Sequence, residues 1–185
     1  MNERSIPSLR SLFAAAVSAW LITLAVDFVL HAAILASWWQ TTQDYWLPPM
    51  TLFQNIPFAY VSFALYCGSL VWALTRFYGP RLSLRQGLQF GAIAGLVFGT
   101  MAILANYSVF PLPISALLVW PLSTTIESAA AGAIAVWTLN APHPWRRVGV
   151  TLGIALGLFV LGVIIQNVLF PGAGSAGMYS PRGAI

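Results

Sequence analysis

An all-α integral membrane bundle of about five transmembrane helices, N-terminus cytoplasmic and C-terminus outside, is the fold this sequence predicts. Three observations predict it. Of 185 residues, 59% are hydrophobic and only 6% are charged, against about 25% charged in an ordinary soluble domain. So few charges cannot cover a water-soluble globule, and the mean hydropathy of +0.81 agrees. The apolar residues also fall into five runs, each near the roughly 20 residues that a helix needs to cross a hydrocarbon core. Finally, the arginines divide unevenly between the connections, as they do in proteins with a cytoplasmic face.

The first span is expected over Leu12 to Trp39, the second over Ile56 to Phe77 and the third over Gly87 to Tyr107. The fourth is expected over Ile114 to Leu139 and the fifth over Val148 to Phe170. Breakers stand between them: Pro48-Pro49, Gly79-Pro80, Pro111 with Pro113, Pro142 with Pro144, and Pro171-Gly172. Residues 1–171 therefore read as one transmembrane domain, and the Gly-, Ser- and Pro-rich stretch 172–185 reads as a flexible tail. Arg4 and Arg10 before the apolar Leu12 to Ala19 have the form of a signal peptide, with Ala-Val-Ser-Ala as a cleavage site. The apolar run continues well past that point, so an uncleaved first helix is expected.

Arg4, Arg10, Arg76, Arg81, Arg85, Arg146 and Arg147 fall on one side of an alternating five-helix chain, and only Arg182 falls on the other. The crowded side is expected to be cytoplasmic. Trp38, Trp39, Tyr45 and Trp46 should form an outer interfacial belt, and Trp72, Phe77, Tyr78, Trp137 and Trp145 an inner one. The net charge of +4 comes from scattered arginines with no lysine. It signals topology rather than nucleic-acid binding, and the lipid bilayer is the expected partner. Cys67, the single cysteine, sits in an apolar run with no metal motif around it.

Gly87, Gly91, Gly95 and Gly99 repeat every fourth residue on the third span, and Gly149, Gly153 and Gly157 do so on the fifth. Such ridges let helix backbones approach closely. They serve either packing within the chain or contact with a second copy or another membrane protein.

Three ionisable residues lie inside the spans: Asp27, His31 and Glu127. Charges at such depth cost several kcal/mol unless paired, neutralised or hydrated, so they are functional candidates by default. Asp27 and His31 are four apart and share a helix face, with Thr23 one turn below. Trp120, Thr124 and Glu127 share a face of the fourth span, where Pro121 should free the Leu117 carbonyl and kink the helix. Asp27 and Glu127 each stand about 13 residues from the outer end of their span, so both are expected at similar depth, roughly 20 Å in. Asn106 and Tyr107 are expected to close the outer mouth.

Two carboxylates in low dielectric resist ionising together, and a neighbouring imidazole can share the proton, which is the chemistry of a proton relay. One histidine with two carboxylates is also a set that can hold a divalent metal. A bis-histidine haem does not fit, because His143 lies in a connection. No nucleophile elbow, phosphate loop or zinc-protease helix is present in the sequence.

The run Asp27-Phe28-Val29-Leu30-His31, Thr41-Thr42, Tyr45-Trp46 and Pro49-Met50 is joined by Gly87, Phe90-Gly91, Tyr107, Pro111-Leu112-Pro113, Trp120, Glu127 and Gly132. Together these landmarks resemble a group of small, uncharacterised bacterial membrane proteins of four or five helices, over about Asp27 to Leu139. The resemblance implies a bacterial inner-membrane protein and marks Asp27, His31, Trp120 and Glu127; it supplies no substrate. Three functional classes follow: proton or small-solute handling, a metal-binding protein or enzyme, and an accessory subunit of a membrane complex.

Overall fold

The computed structural model describes residues 7–79 and 82–169. Expectations placed on Arg4, Pro80, Arg81, Phe170, Pro171-Gly172, Arg182 and the 172–185 tail lie outside the described residues. The described chain is helical: α1 (Leu9–Phe28) continuing as a π-helical stretch (Val29–Ile34), α2 (Ala36–Thr41), α3 (Pro49–Tyr78), α4 (Leu84–Tyr107), α5 (Ala116–Leu139) and α6 (Pro144–Leu169). Five of these are long and apolar enough to cross a membrane, the first of them being Leu9–Ile34.

Local chemistry sets the helix starts. Ser8 caps α1 by accepting from the Ser11 N–H. Ser83 and Gln86 form a reciprocal capping box on α4. Pro49 and Pro144 open α3 and α6, where a missing N–H costs nothing. Both helices thus begin before the apolar runs expected from Ile56 and Val148. Gly79 ends α3 at φ 78°, a conformation that a side chain would strain.

The first span is not one α-helix to Trp39, as expected. The Leu35 N–H bonds the Leu30 carbonyl at 2.7 Å, one residue wider than an α-helical turn, and Leu35 itself leaves helical geometry (φ −96°, ψ 9°). The chain then turns into α2. A π-helical stretch of this kind is uncommon and often marks a functional site. By contrast, α5 runs through Pro121 as one helix.

The dry core lies toward the arginine-bearing end. It joins Ala15 and Ala19 of α1, Cys67, Leu70, Val71 and Leu74 of α3, and Ala131, Ala135 and Val136 of α5. The Asn140 amide donates to the Leu82 carbonyl at 2.7 Å, tying the end of α5 to the start of α4.

The glycine ladder of α4 is consumed inside the chain. A Cβ on Gly87, Gly91 or Gly95 would strike the backbone carbonyl of Gly132, Ser128 or Thr124 on α5. A Cβ on Gly99 would strike the Thr124 side chain. Four buried glycines thus set the α4–α5 distance, and this ridge is not free for a second copy. The α6 ladder differs, since nothing lies within 4 Å of a Cβ at Gly149, Gly153 or Gly157. On α6 it is Gly162 that admits a neighbour, the Phe28 ring of α1.

Candidate functional site

The polar site forms where α1 crosses α5, beyond the dry core. Thr23 lies at its floor, buried, with its hydroxyl donating to the Ala19 carbonyl at 2.9 Å and lying 3.4 Å from the Cys67 sulfur. One turn above is Asp27, and four residues further, inside the π-helical stretch, His31. His31 Nε2 lies 3.5 Å from Asp27 Oδ1 and 3.6 Å from Glu127 Oε1. One donor atom from each of the three residues lies within 4.8 Å of the other two.

The two carboxylates have unlike surroundings. The Glu127 side chain is 5% exposed and that of Asp27 is 32% exposed. Glu127 Oε1 is buried with no partner at hydrogen-bond distance among the described residues. Such an orphaned acceptor is costly, and it requires an explanation. His31 Nε2, 3.6 Å away, carries a proton that it can use.

Trp39 fixes where that proton sits. Its indole N–H donates to His31 Nδ1 at 3.0 Å. An indole nitrogen can only donate, so Nδ1 must present its lone pair, and the neutral ring carries its proton on Nε2, toward both carboxylates. The break at Leu35 makes this contact by folding Trp39 back over the histidine.

Trp39 belongs to a cluster. Its ring centroid is 5.0 Å from Trp38, 4.9 Å from Trp46 and 6.4 Å from Trp120, and Trp46 stacks on Trp120 at 5.9 Å. Trp38 donates to the Ser115 hydroxyl at 2.9 Å and Trp46 to that of Thr42 at 3.0 Å. These half-buried tryptophans pack on one another beside the site. A cavity of about 400 Å³, lined by residues including Asp44 and Gln43, shares Trp39 and Trp46 with the cluster.

The remaining candidates stand elsewhere. Thr124 donates to the Gly95 carbonyl at 3.0 Å and to carbonyls of its own helix, so it clamps α4 to α5. Asn106 and Tyr107 are exposed, and the Asn106 amide bonds back to the Ala102 carbonyl at 2.8 Å. Trp39 is the site neighbour that sequence reasoning did not place beside His31. It stands eight residues after His31, about 12 Å along an unbroken helix, so only the break at Leu35 brings the two together.

The donor spacing alone suits a divalent ion. The hydrogen bonding does not. A metal-bound imidazole donates its second N–H to an acceptor. Here a metal on Nε2 would put a proton on Nδ1, facing the Trp39 N–H, donor against donor.

No protein-family model, curated protein or solved structure matches the chain. The class it defines is therefore structural: a helical bundle with five apolar helices long enough to span a membrane.

Proposed function

We propose that this is a multi-pass protein of a bacterial inner membrane, N-terminus cytoplasmic, that handles a proton, or a small solute together with one, at Asp27, His31 and Glu127. The resemblance over Asp27 to Leu139 supports the bacterial setting, and the one-sided arginines support the orientation. The observation that carries the chemistry is the imidazole held between two carboxylates with Trp39 on its other nitrogen.

In this arrangement the neutral ring donates from Nε2 toward the carboxylates and accepts the Trp39 N–H at Nδ1. A further proton can enter the ring only at Nδ1, and that requires the Trp39 N–H to leave. Once Nδ1 is protonated, the Nε2 proton can pass to Asp27 or Glu127. Loading the site is thereby coupled to movement of an indole packed in the tryptophan cluster. The cavity beside Trp39, with the Asp44 carboxylate at its edge, supplies an approach from the tryptophan end. Among the described residues that end has acids but no arginine, which favours a cation over an anion. Any pairing with a second copy falls to the open α6 ridge of Gly149, Gly153 and Gly157.

The test is proton flux in proteoliposomes under an imposed potential, read by an internal pH-sensitive dye. Wild-type protein should carry a flux that Glu127→Gln and Asp27→Asn each lower. Equal flux from all three and from empty vesicles would sink the reading.

A further inference from the structure

We propose that the cavity between the start of α1 and the start of α6 binds the phosphate of an anionic phospholipid. This site is at the opposite end of the molecule from the tryptophan cluster and is independent of the proton reading. The cavity has a volume of about 480 Å³, and Arg10, His143 and Arg146 line it together with Ser8, Ser11 and Trp145. Two guanidinium groups and an imidazole thus face one space.

Among the described residues those arginines have no carboxylate partner. The described acids are Asp27, Asp44 and Glu127, and the ion pairs among described residues belong to His31. The guanidinium fork matches phosphate oxygens two at a time, so two arginines at one cavity suit a phosphate monoanion. The N-terminal ends of α1 and α6 flank the cavity, and their dipoles add to the positive potential.

The rim favours a lipid over free phosphate. Leu9 and Phe13, on the first turns of α1, are 83% and 60% exposed. The Phe13 ring packs 6.0 Å from that of Trp145, which itself lines the cavity. An acyl chain attached to a phosphate seated in the cavity would run along this apolar edge. Basic pockets between helices at the cytoplasmic surface are suited to such headgroups.

The experiment is native mass spectrometry of the full chain released from nanodiscs of equal phosphatidylglycerol and phosphatidylcholine. Wild-type protein should retain phosphatidylglycerol in preference to phosphatidylcholine. The double variant Arg10→Gln/Arg146→Gln should weaken that retention about tenfold or more, since each basic group near such a headgroup contributes appreciably. The control Arg76→Gln/Arg85→Gln, equal in charge change, should leave it intact. Circular dichroism of each variant in detergent shows that it is folded. Equal retention in the Arg10/Arg146 variant, or equal loss in the control, overturns the site. Displacement of the lipid by millimolar inorganic phosphate would replace a lipid site with a phosphate site.

Discussion

The two faces of α5 make different uses of the same helix. Toward α4 it presents Pro121, Thr124, Ser128 and Gly132 to a glycine ladder, and the backbones meet with no room for a methyl group. Toward α1 it presents Glu127, and there the packing leaves space for two carboxylates, an imidazole and an indole. The first face is closed by contact between small residues. The second is held open by polar groups that need one another. The lesson is that close packing on one side lets the other carry costly groups, because the helix is already fixed.

Breaking the close face should have the largest effect. Gly91→Val should abolish the folded bundle, since its side chain has no place beside the Ser128 carbonyl and overpacking costs about 1–3 kcal/mol or more. Loss of a monodisperse peak in detergent size-exclusion chromatography would show this; a normal peak and melting curve would refute the close contact. Next comes the open face. Glu127→Gln should keep the fold and lower proton flux about tenfold or more, the scale of a lost proton-transfer group.

Trp39→Phe should act differently from Glu127→Gln. It frees His31 Nδ1 while keeping an aromatic ring, so proton flux should persist or rise, and its dependence on the driving gradient should weaken. A flux as low as that of Glu127→Gln would mean that Trp39 does not gate. A second measurement sharpens the metal question. Elemental analysis should find no stoichiometric metal in wild-type protein, whereas a metal near one per chain, lost in His31→Ala, would overturn the tautomer argument. The smallest effect belongs to α6. Gly153→Ala meets open space and should shift stability by no more than about 0.5 kcal/mol, as surface substitutions do.

Much of this was legible in the sequence. Composition and five apolar runs gave the helices, and four-residue spacing put Asp27 and His31 on one face. Depth arithmetic set Glu127 level with Asp27, one turn from His31, and the structure brings Glu127 within 3.6 Å of His31. The rest depends on tertiary contact. The two glycine ladders look alike as strings, yet one meets a carbonyl row and the other meets nothing. The Leu35 break has no proline or glycine to announce it, so the return of Trp39 to His31 could not be read from local propensity. Pro49 and Pro144 stand between apolar runs as breakers do, yet each opens a helix, because proline stops a helix from within but starts one well.

The α4–α5 interface also bears on how the chain is made. The fourth span is the least apolar of the five and the sixth helix the most. With Glu127, Pro121 and a run of hydroxyls, α5 is the segment a translocon should release into lipid most reluctantly. Its neighbour in sequence, α4, offers it a row of glycines that it can dock against at once. The two helices are therefore suited to leave the translocon as a hairpin, with Glu127 on the face left for α1 and its histidine to cover.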